Sequence, residues 1–174
     1  MRFKLFVRAS LLACVAAVLC AFAQESAAHA PDTVSGLTGY RDGIEQIVVL
    51  ASDLIGVRYR RRGDNPQIGF DCSGFVDYVF REGIGLVLPH GSRAISEAGT
   101  PVSKNELEPG DLVFFKTMRH AFSHVGIYLG DHRFIHAPRP GKTVRIDNLQ
   151  KRYWAKRFDG ARRMSGLVED ATPH

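Results

Sequence analysis

The period of the apolar pattern changes once along this chain, at Pro109-Gly110, and that change confines the fold to few classes. Before it, Ile44, Ile47, Val48, Leu54 and Ile55 recur at helical spacing up to Gly56. Phe75, Val76, Val79 and Phe80 then form one stripe of a second helix, which Gly83 is expected to end. After the change, Leu112 to Phe115 is a short apolar run, residues 124–129 alternate, and residues 132–137 follow across a Gly130-Asp131 turn signal. Val144-Arg145-Ile146 and a segment from Trp154 to Arg163 supply further strands. Helices first and strands afterwards predict an α+β domain, with helices packed on an antiparallel sheet of about five to six strands. Between the two helices, Arg58 to Gly69 reads as a basic loop.

Ahead of the helices, Arg2, Lys4 and Arg8 precede an apolar run from Ala9 to Ala23 that ends in Ala21-Phe22-Ala23. That is the pattern of a secretory signal peptide over residues 1–23. A second small triplet, Ala28-His29-Ala30, offers an alternative cleavage point. A membrane-spanning helix needs about 20 consecutive apolar residues, and Gln24, Glu25 and Ser26 stop this run short of that. Export to the periplasm or cell envelope, or secretion, with no membrane span left after cleavage, is the expectation. Residues 24–40, interrupted by Pro31, Gly36 and Gly39, read as a linker, residues 41–166 as the domain and residues 167–174 as a C-terminal tail. Cleavage takes three of the 23 basic residues and none of the 18 acidic ones, so the formal charge falls from +5 to +2. A nucleic-acid partner is therefore not expected. What remains is local: Arg58, Arg60, Arg61 and Arg62 form a cluster suited to an anionic polymer.

Export also removes Cys14 and Cys20 and leaves Cys72 as the one thiol, so no intramolecular disulfide can form. Cys72 falls in the first turn of the second helix, where unpaired N–H groups and the helix dipole favour the thiolate. A cysteine nucleophile needs an imidazole to take its proton and a third group to orient that imidazole. His124 and His136 lie on the two arms of the expected hairpin. Opposed residues of an antiparallel pair have numbers that sum to a constant, so the two histidines share a face only if that sum is even. A three-residue loop, Leu129-Gly130-Asp131 or Gly130-Asp131-His132, meets this condition, and a two-residue turn does so only with a bulge. His120, His124, His132 and His136 also give two H-x-x-x-H spacings. On strands, residues four apart are roughly 13 Å from each other at about 3.3 Å per residue, too far for one ion, and no metal or other cofactor is expected.

The order Tyr59, Phe70-Asp71-Cys72-Ser73-Gly74-Phe75, Leu88-Pro89, Pro109-Gly110-Asp111-Leu112-Val113-Phe114-Phe115, His124-Val125-Gly126-Ile127-Tyr128-Leu129-Gly130-Asp131 and Ile135-His136-Ala137-Pro138 resembles the NlpC/p-sixty family of papain-like cell-wall cysteine peptidases. The resemblance covers residues 43–164. It implies a papain-like fold, Cys72 as nucleophile, His124 as general base and His136 as the polar residue orienting it. It further implies that Tyr59 stands over the site, that Asp71 and Ser73 line the substrate pocket, and that the substrate is a peptidoglycan peptide; separately, a monomer is expected. An amidase or acyltransferase using the same nucleophile, or a non-catalytic wall-binding module, is the alternative. The chain departs from the family where an aromatic-Gly-Gly is usual, having Arg61-Arg62-Gly63, and where Leu-Pro-Arg-Thr-Ser is usual, having Leu88-Pro89-His90-Gly91-Ser92.

Overall fold

A computed structural model describes residues 33–164 of the protein, with side chains from residue 41 onward. The fold that follows is that of the unit that begins at Ser35. The signal peptide and the C-terminal tail expected from the sequence lie outside the described residues.

Helix α1, Thr33–Asp53, buries Ile47 and Ala51. It begins ten residues before the expected start at Gly43, so residues 33–40 of the stretch read as a linker are helical. Extending an existing helix costs each added residue only its own entropy, and a glycine at Gly36 or Gly39 adds only about 1 kcal/mol.

The loop that follows is not wholly irregular. Strands β1, Asp64–Asn65, and β2, Gly69–Phe70, pair antiparallel within it. The loop lies backbone against backbone on the next helix: a Cβ at Gly74 would collide with the Gly63 carbonyl oxygen. Arg62 takes a left-handed φ of 58°. That conformation is one glycine adopts freely, and here an arginine takes it.

Helix α2, Cys72–Ile84, starts at an Asp71 cap whose Oδ1 accepts from the Gly74 amide at 2.8 Å. Phe75, Val76, Val79 and Phe80 are buried, as their spacing predicts. Gly83 does not end the helix, since a lone glycine weakens a helix without breaking it. Gly85 ends it instead, at φ 73°, with its N–H donating to the Arg81 carbonyl. Helix α3, Ser92–Ala98, and strand β3, Thr100–Val102, were not expected. With Ile95 as its one buried apolar residue, α3 is too short to show a period.

The main sheet adds β4, Leu112–Phe115; β5, His124–Gly130; β6, Arg133–His136; β7, Arg145–Asn148; and β8, Phe158–Arg163. A one-turn helix α4, Arg152–Ala155, precedes β8. The order is β3-β8-β4-β5-β6-β7, antiparallel throughout, so six strands stand where about five to six were expected. Alternation along the strands divides the apolar residues between two cores. Leu112, Phe114, Val125, Ile127 and Ile135 pack with α1 and α2. Val113, Phe115, Tyr128, Phe134 and Trp154 form a second cluster.

The β5–β6 hairpin satisfies the parity condition by a route different from a three-residue loop. Gly130 pairs with Arg133 around a two-residue turn, Asp131-His132, whose φ values of 50° and 60° match a primed hairpin turn. A bulge between Tyr128 and Gly130 then shifts the pairing, so that Tyr128 opposes Phe134 and Ile127 opposes Ile135. The sum becomes even. Gly126 accordingly falls opposite His136, and a Cβ there would meet the Ile135 carbonyl and Phe134 Cδ2 at 2.8 Å each and His136 Cβ at 3.1 Å.

Backbone and a packed ring cannot both yield to that Cβ. Gly126→Ala is expected to lower the unfolding free energy by about 1–3 kcal/mol, read from urea denaturation. An unchanged midpoint would mean that β5 and β6 separate without cost.

Candidate active site

Cys72 opens α2 and is part-buried against the main core, as is Tyr59. Backbone amides of Val125, Ser73 and Cys72 itself favour the thiolate form of the sulfur. The first of these belongs to the residue after His124, which sets the sulfur beside the opening of β5. Asp71 serves the helix start: Oδ1 accepts from Gly74 and from the Ser73 hydroxyl at 3.0 Å, and Oδ2 accepts from the Arg62 amide at 3.0 Å. Asp71 and Ser73 also line a cavity of about 480 Å³ with Arg62, Asp77, Arg81 and His90. Burial raises the Tyr59 phenol above its usual range, and the charges of Cys72 and Asp71 add to the effect, so the phenol keeps its proton at neutral pH.

His124 is held from both sides along the chain. It pairs with Phe115 across β4, and the preceding loop is tied down by Ser123, whose Oγ accepts from the amides of Thr117 at 2.9 Å and Met118 at 3.0 Å. The Phe122 amide donates to Asp159 at 2.7 Å. The His124 ring stacks on Trp154 with centroids 5.7 Å apart, and His136 meets the edge of the same indole at 5.0 Å. Phe115 and Phe134 complete an aromatic enclosure, and the two imidazoles are 3% and 0% exposed.

Within that enclosure the rings are joined. His124 Nε2 lies 2.7 Å from His136 Nδ1, the diagonal contact that the even register permits. The other nitrogen of His136, Nε2, lies 3.1 Å from Asp147 Oδ2. Asp147 was missed in the sequence, where the β7 run was read only as far as Ile146. The signal available was Arg145-x-Asp147, two charged residues on one face of a strand. Arg145 opposes His136, so Asp147 lies diagonal to it. Arg145 Nη2 reaches Asp147 Oδ2 at 2.8 Å and Lys151 Nζ reaches Oδ1 at 3.2 Å.

The electrostatics follow from burial and these partners. Burial pushes the Cys72 thiol up to about 11, Asp71 adds to the rise, and the three amides oppose it. The thiolate expected at a helix start is therefore not the resting form; desolvation outweighs the helix field. Burial also drives His124 well below the usual imidazole value; the neighbouring His136 lowers it further and Asp147 opposes. His136 is lowered by burial, with the hydrogen bond and charge of Asp147 acting against it. For Asp147, burial raises the carboxyl, but hydrogen bonds from His136, Lys151 and Arg145 and the Arg145 charge hold it well below the carboxylate range. At neutral pH the set is a thiol, two neutral imidazoles and a carboxylate.

His120 and His132, the other members of the H-x-x-x-H spacings, are exposed, in the loop before β5 and in the hairpin turn. No group of metal-ligating side chains is found among the described residues.

The NlpC/P60 family model matches residues 56–163. Among curated proteins, the Escherichia coli K12 murein DD-endopeptidase MepS/murein LD-carboxypeptidase is 42% identical over 113 residues, covering 65% of this chain and 58% of that protein. The gamma-DL-glutamyl hydrolase of Bacillus subtilis is 41% identical over 123 residues, covering 70% and 30%. The chain thus spans between about a third and three fifths of the length of these relatives. Among solved structures, the NlpC/p60 domain of the peptidoglycan hydrolase SagA superposes with a TM-score of 0.62 at 36% identity, covering 70% of this chain and 98% of that one. The papain-like arrangement expected from the motifs is the one these neighbours share.

A thiol at about 11 makes a direct prediction. Alkylation of Cys72 by iodoacetamide should keep rising with pH beyond 9, following ionisation toward about 11. A plateau near pH 7 would show a preformed thiolate.

Proposed function

Because the chain belongs to the NlpC/P60 family, we propose that it is an exported cysteine peptidase that hydrolyses peptide bonds in peptidoglycan stem peptides or cross-links. The observation that carries this reading is the 2.7 Å hydrogen bond between His124 and His136 beside a part-exposed free cysteine at a helix start. A fold kept only for binding has no use for that bond. Relatives named murein DD-endopeptidase and gamma-DL-glutamyl hydrolase stand at 42% and 41% identity, so the comparison supports a substrate class rather than one bond. Export rests on residues 1–23. Among the described residues no helix is long and apolar enough to cross a membrane.

The mechanism starts from neutral partners. As the Cys72 sulfur attacks the scissile carbonyl carbon, its proton passes to His124, and the C=O electron pair moves onto oxygen. The amide of Cys72, at the start of α2, donates to that oxyanion. Collapse breaks the C–N bond, His124 gives its proton to the departing amine, and a thioester remains. Water then attacks the thioester with His124 as base, and the carboxylic acid and the thiol are restored. Tyr59, a neutral phenol near Cys72, supplies a further donor to the substrate or the oxyanion, and Asp71 and Ser73 border the cleft on the side of the Arg62 cavity.

Cys72→Ala should fold and yet release no peptide from purified murein, a loss of roughly 10⁶-fold in kcat by analogy with removal of a nucleophile from a comparable triad. Mass spectrometry of the products from defined muropeptides identifies the bond cut, and retained release by the variant would refute the assignment. Murein stems carry free carboxylates; Arg61 and Arg62 are both exposed, and Arg62 lines the cavity that Asp71 and Ser73 border. Replacing both with Ala is expected to raise KM for murein fragments several-fold with kcat little changed, and the effect should shrink at high salt. A change confined to kcat would count against it.

A further inference from the structure

The mechanism uses Cys72, His124 and His136, but the chain of hydrogen bonds does not stop there. We propose that Asp147, clamped by Arg145 and Lys151, is a positioning residue that sets the tautomers of both imidazoles and thereby points the basic nitrogen of His124 away from His136. This rests on the reading of Cys72 and His124 as nucleophile and base.

Arg145 and Lys151 bring only donors to Asp147, at 2.8 Å and 3.2 Å, so the carboxylate is held ionised and can only accept. At 3.1 Å it therefore accepts from His136 Nε2–H. A neutral imidazole carries one proton, so His136 Nδ1 is left as an acceptor. His124 Nε2 lies 2.7 Å from that nitrogen and must be the donor. His124 Nδ1 is then unprotonated, and it is the nitrogen of that ring which His136 does not engage. One carboxylate thus fixes, through two rings, which atom receives the thiol proton.

The three members come from three adjacent strands, β5, β6 and β7, each diagonal to the next on one face of the sheet. Among the described residues, Arg145 on β7 and Lys151 just after it are the charged groups paired with Asp147. Around the rings stand Trp154, Phe134 and Phe115, which are apolar, so Arg145 and Lys151 are the charges that bear on Asp147. When His124 becomes an imidazolium during attack, the Asp147 charge stabilises it across His136, and it does so in an enclosure where little water screens the interaction.

The test uses the full chain and two variants, Asp147→Ala and the near-isosteric Asp147→Asn. Long-range ¹⁵N–¹H correlation should find both histidines of the wild type protonated at Nε2. In the variants His136 should lose that preference. The kcat should fall by about 10- to 100-fold, the range seen when an outer hydrogen-bond partner is removed, against the ~10⁴-fold lost when the group touching the base is replaced. KM should stay within about twofold, because the interaction lost is one made in the transition state rather than in substrate binding. Because Asp147 raises both imidazoles, its loss should move the acid limb of kcat/KM to lower pH, which a merely structural role would not do. Nδ1 protonation of His136 in the wild type would overturn the proposal, and so would folded variants with unchanged kcat and acid limb. Should the wild type cleave no murein, the functional reading fails, yet the tautomers and the pH dependence of Cys72 alkylation still decide this one.

Discussion

The parity of the β5–β6 pairing is the constraint on which the rest of the site depends. A two-residue Asp131-His132 turn, taken alone, pairs residues whose numbers sum to an odd value and would put His124 and His136 on opposite faces of the sheet. The bulge between Tyr128 and Gly130 removes one residue of register and brings both rings to the same face. From there the diagonal geometry carries on to β7, where Asp147 stands in the same relation to His136 as His136 does to His124. Gly126 belongs to this arrangement, because the strands approach too closely opposite His136 for any side chain. A local irregularity in one hairpin thus organises a hydrogen-bonded file across three strands.

The second requirement is a dry environment for that file. Trp154 is buried between the two imidazoles and the second core, stacked on one ring and edge-on to the other, although it is delivered by a helix of only four residues. A short helix has little stability of its own, so its place depends on the aromatic packing of Phe115, Phe134 and Trp154. The same packing that makes the second core therefore sets the electrostatics of the histidines. Stability and basicity are coupled here through one indole.

Much of this was legible in residues that obey a single local rule. The α2 stripe of Phe75, Val76, Val79 and Phe80, the apolar run of β4 and the alternation in β5 each state their structure in their own period. So did Cys72 at a helix start and the pairing of His124 with His136, since parity can be worked out from sequence numbers alone. What escaped depended on information held elsewhere in the chain. Helix α3 has one buried apolar residue, and β3 is an edge strand recruited by β8 from some sixty residues away. Gly83 and Gly85 look alike in sequence as ends of α2, and only the left-handed φ at Gly85 separates them. Asp147 was invisible for a related reason. An Arg-x-Asp pair on a strand is an ordinary surface pattern until the partner strand shows a histidine diagonal to it.

The protonation state of Cys72 illustrates how two correct physical rules compete. The field at a helix start is worth about 0.3–1 kcal/mol in favour of the thiolate. Holding the thiol at about 11 rather than 9.0 corresponds to about 3 kcal/mol the other way, since each tenfold change in acidity is 1.36 kcal/mol. Burial wins, with the Asp71 charge beside it. The outcome has a chemical use in the oxidising surroundings to which residues 1–23 point. A thiolate is the form that oxidants attack, and a lone cysteine has no partner to protect it. A neutral, part-buried thiol stays inert while the site is empty. On the proposed reading it becomes a nucleophile only when a carbonyl carbon is in place to be attacked and His124 is ready to take the proton. The cost is a slower intrinsic ionisation, and the three amides around the sulfur, together with the carboxylate at the far end of the histidine file, are what reduce it.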